Sequence, residues 1–128
     1  MAEKNFISAL TAQNATETVK TLIDTITVPQ GVSKLVEIGW QMIMAGVTSL
    51  ESVSSILELE SDDMAPWGGT QQFASPVVIP LTSGTVVLPA SVHDCDIPVT
   101  PGSHIKLSAT FNVALTINPS VRVFGKFV

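Results

Sequence analysis

The sequence predicts an all-β fold, a two-sheet antiparallel β-sandwich, on three observations. The stretch IKLSATFNVALTI, residues 105–117, is apolar at every second position: Ile105, Leu107, Ala109, Phe111, Val113, Leu115 and Ile117. Period-two alternation describes a strand with one buried face, whereas the 3.6-residue turn of a helix would smear the same residues around its surface. Upstream, between Ser75 and Gly102, short Val/Ile runs are broken by Pro76, Pro80, Gly84, Pro89, Pro98 and Pro101. Such runs read as short strands and strand ends at sheet edges, where a missing N–H does no harm. Finally, ITVPQGVSKLVEIGW from Ile26 and IPVTPGSHIKLSATF from Ile97 share one layout: a β-rich lead, Pro, Gly, a polar step, Lys-Leu and alternation. A Pro/Gly corner that ends one strand and launches the next suits a chain crossing from one sheet of a sandwich to the other.

Taken in chain order, residues 1–18 form a polar N-terminal arm, and residues 19–128 a single β-sandwich domain. The run TLIDTITVP, residues 21–29, is dense in β-branched side chains, which pack well on a pleated surface and lose rotamer freedom in helices. Between Val32 and Met44, Val32, Lys34, Val36, Ile38, Trp40, Met42 and Met44 alternate with Ser33, Glu37, Gly39 and Gln41. Leu35, Ile38, Met42 and Ile43 also fit helical spacing, but Gly39 would cost a helix about 1 kcal/mol relative to Ala. The strand reading is preferred, with Trp40 as a core residue. Leu50, Val53, Ile56 and Leu57 again fit helical spacing, and Thr48 with Glu51 matches a capping box, so one short helix near residues 49–57 is the expected exception. A long loop follows at about residues 60–76, ESDDMAPWGGTQQFASP, of a length more often functional than accidental. Its large apolar side chains, Trp67 and Phe73, are the interface candidates, since aromatic residues are enriched both in cores and at subunit contacts. After residue 117, Asn118-Pro119-Ser120 signals a turn and VRVFGKFV puts Val121, Val123 and Phe127 on one face, so an antiparallel hairpin is expected. The first strand of that hairpin would present Lys106, Ser108, Thr110, Asn112 and Thr116 on its polar face.

Composition narrows the chemistry. In a chain of 128 residues, 45% are apolar and 13% charged, more apolar surface than one core of this size requires. The excess points to burial against partners. A net charge of -5 with six Lys and Arg is unsuited to neutralising phosphates, so no direct nucleic-acid contact is expected. No segment has the uninterrupted apolar length of a membrane span, and the first twenty residues show no signal-peptide pattern. The sequon Asn14-Ala15-Thr16, which matters only in a glycosylating compartment, is therefore expected to be a chance match. Cys95 is the single cysteine, which excludes an internal disulfide, and a small buried hydrophobe is its expected role.

Candidate sites are sparse. His93-Asp94-Cys95-Asp96 is the one local run of transition-metal ligands, with no second Cys and only His104 elsewhere to complete a shell, so no metal is expected. Glu58, Glu60, Asp62 and Asp63 are rich in oxygen but lack the regular spacing of a calcium loop, and a solvated strand end is the plainer reading. The candidate bases His93 and His104 have no accompanying nucleophile motif, and Gly68-Gly69 is no phosphate loop. No catalytic residue, cofactor or enzyme activity is expected. The rival class is a carbohydrate- or ligand-binding β-sandwich module using Trp40 or Trp67, disfavoured by few aromatics and no Tyr.

The polar N-terminal segment, the Pro/Gly-cornered strands, the loop rich in Pro, Gly and Gln, and the ending PGSHIKLSATFNVALTINPSVRVFGKFV together resemble small β-sandwich, jelly-roll-like structural and coat proteins of virus particles. The resemblance implies two packed antiparallel sheets, an arm over residues 1–18 that reaches a neighbouring subunit, and contacts through sheet edges or loops. It also implies a self-assembling virion coat or capsid-surface subunit, made in the host cytoplasm, whose partners are copies of itself and other structural proteins of the same particle. The arm departs from the pattern in not being basic, which favours a shell or surface role over genome binding.

Overall fold

A computed structural model of the chain describes residues 3–13, 19–47, 51–63, 69–79, 82–88, 91–111 and 118–128. These residues are all-β, and every strand pair is antiparallel. The strands are β1 (Lys4–Ile7), β2 (Thr11–Ala12), β3 (Thr21–Thr27), β4 (Lys34–Val47), β5 (Glu51–Ser61), β6 (Gln71–Ile79), β7 (Thr82–Val87), β8 (Ser91–Pro98), β9 (His104–Phe111) and β10 (Ser120–Phe127). The first sheet runs β1-β10-β4-β7, with β2 also on β10 and β8 also on β4; the second runs β3-β9-β5-β6.

The pairing is nested. β5 pairs β6, β4 pairs β7 and β8, β3 pairs β9, and β1 and β2 pair β10, so the chain is one long antiparallel ribbon wrapped around itself. The additional pairs β10 with β4 and β9 with β5 knit successive turns of the ribbon into the two sheets. This is jelly-roll topology, two packed four-position sheets joined by crossing connections. One core fills the space between them. Leu35, Ile38, Trp40, Met42, Val121, Val123 and Phe127 contribute from the first sheet, and Ile23, Leu57, Leu59, Ile105, Leu107 and Phe111 from the second.

Both Pro/Gly corners cross between sheets, as their sequences predict. β3 of the second sheet leads through Val28 to Ser33 into β4 of the first, and β8 of the first leads through Val99 to Ser103 into β9 of the second. The corners bond to each other. The Val28 N–H donates to the Ser103 carbonyl at 2.9 Å, the Gly102 N–H to the Val28 carbonyl at 2.9 Å, and the Val99 N–H to the Ser33 carbonyl at 2.9 Å. Backbone groups that leave one ladder are thereby satisfied before the next begins. Gly31 and Gly102 sit at φ of 83° and 85°, a left-handed conformation that a Cβ disfavours.

Several expectations change. The helix anticipated near 49–57 is instead strand β5, because Leu57 and Leu59 must face the core while β6 and β9 flank the segment on both sides. The hairpin between the alternating stretch and the last strand does not form. β9 lies in the second sheet and β10 in the first, so the Asn118-Pro119 region belongs to a crossing between sheets; residues 112–117, with Asn112 and Thr116, lie outside the described residues. The long connection after β5 is shorter than anticipated, since strand pairing carries β5 to Ser61 and opens β6 at Gln71. Of residues 1–18, β1 and β2 pair with β10 of the same chain, and residues 14–18 lie outside the described ones.

Replacing Gly31 or Gly102 with Ala should cost about 1–2 kcal/mol each, the penalty of a side chain in left-handed backbone. Urea unfolding of each variant should show a lowered midpoint with an unchanged slope.

Candidate functional site

The pleat divides every strand into an inward and an outward set, and the two outer faces differ in chemistry. On the second sheet the outward rows are mostly polar, with Leu22 exposed and Ile56 half-buried among them. Thr25, Lys106 and Glu60 lie side by side across β3, β9 and β5, and Leu22, Ser108, Glu58 and Gln72 form the next row. Lys20 Nζ reaches Glu58 Oε2 at 2.8 Å, and Gln72 Nε2 donates to Glu58 Oε1 at 3.0 Å. The Lys20 hydrogen bond, followed by that of Gln72, holds the Glu58 carboxyl below its usual range. At the end of this face Asp62 accepts from the His104 backbone N–H at 2.9 Å and lies 2.9 Å from His104 Nδ1, and these two bonds lower the Asp62 carboxyl. Thr25, Glu60, Ser61, Asp62, His104 and Lys106 line a cleft of about 260 Å³ here. Both Asp62 oxygens are committed to His104, and Ser61 Oγ accepts from the Asp63 N–H. The acidic group read from the sequence is therefore dispersed among separate partners, with Asp63 engaged by Thr100.

The second histidine lies elsewhere. His93 points inward from β8, its ring stacked on Trp40 at 5.4 Å and tilted against Phe73 at 5.3 Å. Its Nε2 is 3.1 Å from Ser75 Oγ, and the Ser75 and Ser91 hydroxyls hydrogen-bond to each other. Ser75 belongs to β6 of the second sheet and Ser91 to β8 of the first, so this cluster ties the two sheets together at their edge. A serine on a histidine nitrogen is the start of a nucleophile and base pair. Ser75, however, is only 5% exposed, and its hydroxyl is already shared with Ser91. The serines escaped sequence reading because only packing of the two edges brings them to His93.

Cys95, half-buried, donates its thiol toward the Leu35 carbonyl at 3.4 Å. Burial first, then the carboxylates of Asp94, Asp96 and Glu37, pushes that thiol up to about 11. The pleat splits the run His93-Asp94-Cys95-Asp96: the first and third turn toward the interior, and the second and fourth are exposed. Among the described residues no three His, Cys, Asp or Glu side chains converge as metal ligands.

Trp40 is 2% exposed and faces the core, so it offers no stacking platform to a sugar. Phe73 is partly buried against the core on β6, and Trp67 lies outside the described residues.

The outer face of the first sheet carries the apolar surface. Across β1, β10, β4 and β8 one row reads Ile7, Phe124, Gly39, Val92. Ile7 is 66% and Val92 51% exposed. The Phe124 ring reaches over Gly39, its Cζ 2.6 Å and the Ser91 carbonyl 2.9 Å from where a Cβ would stand, so a side chain there would clash with both. A charged row, Asn5, Lys126, Glu37, Asp94, borders this stripe on one side. On the other side Arg122 Nη2 donates to Gln41 Oε1 at 2.7 Å, and beyond it Ala12, Ser120, Ile43 and Val87 form a further row. No one segment shows this stripe, since its members come from four strands distant in sequence.

No family model matches the chain, and no curated protein matches it. Among solved structures, a chain in the structure of infectious bursal disease virus Gx strain is similar in fold, with a TM-score of 0.46 and 14% sequence identity over 98% of this chain. The match spans 32% of that longer chain.

The raised Cys95 thiol should alkylate much more slowly at pH 8 than a free cysteine, with the rate climbing as pH approaches 11; timed iodoacetamide labelling followed by mass spectrometry measures it. The folded Glu58 carboxyl lies below its unfolded value, so its stability contribution is present above the unfolded value and lost as pH falls through the folded one. Glu58→Gln should therefore flatten the acid limb of the stability curve, read by urea unfolding between about pH 3 and 6.

Proposed function

We propose that this chain is a non-enzymatic, self-assembling structural protein, a virion coat or capsid-surface subunit. The observation that carries the proposal is the outer face of the first sheet, where Ile7, Phe124 and Val92 make an apolar row across the strands, rimmed by polar rows. Single exposed apolar residues are ordinary on soluble proteins, but aligned ones rimmed by polar groups mark a contact surface. The jelly roll is an architecture of capsid and lectin domains alike. A lectin needs an open, ligand-facing set of side chains. In this chain Trp40 is committed to the core and Asp62 and His104 to each other, which favours assembly.

Copies of the chain are the first partners, and other structural proteins of the same particle can meet the remaining edges. Strand β6, with Phe73, borders one such edge. The shortage of cations and the acidic balance favour a position in the shell or on its surface over genome packing.

Sedimentation of the purified chain, with electron microscopy of any heavy fraction, tests the proposal. Concentration-dependent oligomers or uniform particles are expected. A clean monomer at every concentration would overturn it and move the reading to a ligand-binding module, with the His104 cleft as the place to search.

A further inference from the structure

The apolar stripe is the centre of a surface that is complementary to itself. Its four strands lie in the order β1, β10, β4, β8, and a twofold axis parallel to the strands, midway between β10 and β4, exchanges them in pairs when two copies meet face to face. β10 then lies over β4 of the second copy, and β1 over β8. We propose that the outer face of the first sheet binds the same face of a second copy about this axis.

The side chains match row by row under that operation. In the apolar row Ile7 meets Val92 of the other copy, and the two Phe124 side chains, each reaching over its own Gly39, lie on either side of the axis. In the bordering row Lys126 meets Glu37 and Asn5 meets Asp94, each pair occurring twice by symmetry. On the opposite flank Arg122 meets Gln41, and farther along the strands Ser120 meets Ile43 and Ala12 meets Val87. No like charges face each other in these rows. Glu3 and Asp96 lie at the rim, and each carries its own lysine, Lys126 at 2.8 Å and Lys34 at 3.1 Å.

A different twofold serves as a control on the argument. An axis along the apolar row, perpendicular to the strands, would set Arg122 against Lys126 of the other copy, cation on cation. The charges therefore select one of the two simple face-to-face arrangements. Complementary charge of this kind fixes register and rejects wrong pairings more than it adds raw affinity. A twofold contact is isologous, so the same substitution acts twice.

The contact is modest in size. Four rows by four strands project to roughly 500 Å² per copy from ordinary strand and residue spacings. That is about two thirds of a standard interface, so the isolated pair should dissociate on dilution and gain its permanence from repetition in a larger assembly. This contact rests on the assembly reading above, and its failure can be told apart from the failure of that reading.

The test uses the full chain and two substitutions, Lys126→Glu and Glu37→Lys. In a homodimer either one sets like charges together twice and should raise the dissociation constant at least about tenfold. Mixed in equal amounts, the two variants restore both attractive pairs, so the mixture should sediment as a dimer although neither variant alone does. Because each variant keeps its own intrachain charge arrangement in the mixture, recovery on mixing cannot come from repaired folding. Circular dichroism of each variant confirms the β signature. Val92→Glu, at an exposed position where folding is little affected, should weaken the wild-type association as strongly. Single variants that associate like the wild type, or a folded mixture that stays monomeric, would overturn the proposed face while leaving self-assembly standing. A wild type that never associates would overturn both.

Discussion

The structure depends on one constraint: an antiparallel ribbon must turn from one sheet into the other without leaving buried backbone groups unpaired. Strands β3 and β9 pair in the second sheet, and their continuations β4 and β8 pair in the first. Where both chains bend, the bonds among Val28, Ser103, Gly102, Val99 and Ser33 carry the ladder around the corner. Val28, Val32, Ile97 and Val99 are buried beneath it, so the bend is held by polar and apolar contacts together. With this bend in place the rest of the ribbon has little choice. β5 and β6 close its inner end, and β10 with β1 closes its outer end against β4.

Once the ribbon is wrapped, the pleat assigns every side chain a destination. Inward positions fill one continuous core, and outward positions build two faces whose chemistry was set strand by strand. The second sheet draws its outer surface from Lys106, Glu58, Glu60, Thr25 and Gln72 together with the exposed Leu22, with Ser108 buried among them, and Lys20 pairs with Glu58 across it. The first sheet draws its own from Ile7, Phe124, Val92 and Val87. A low-charge chain has to put its surplus apolar surface somewhere. Ile7, Val92 and Val87 put part of it on the first sheet, and Leu22 puts part of it on the second.

The same pleat dissolves the chemistry that adjacent residues suggest. Neighbours in a strand point to opposite faces, so His93 and Cys95 part from Asp94 and Asp96 and cannot share a metal. Groups distant in sequence meet instead. Ser75, Ser91, His93, Trp40 and Phe73 converge at the edge between the sheets, and a polar tie flanked by two aromatic rings closes the sandwich there. His104 finds Asp62 by the same logic, across the strand pair β9 and β5.

The sequence by itself determined the all-β class, the inward faces of β9 and β10, that of β4 from Ile38 onward, and the two crossings at Pro29-Gly31 and Pro101-Gly102, because alternation and corner residues are local properties of the chain; at the start of β4 a bulge turns Leu35 inward and leaves Lys34 exposed, against the simple alternation. It was ambiguous over β5, where the inward set is Ser55, Leu57, Leu59 and Ser61. Two serines in buried positions broke the alternation, and the outward Ile56 completed a false helical stripe. It misled over β9 and β10, because an amphipathic strand declares which side is buried and not which strand lies beside it. The His93 tie, the His104 cleft and the Ile7, Phe124, Val92 stripe were decided only by the tertiary structure. Each is assembled across strands whose register comes from long-range pairing, and no window of sequence contains that register.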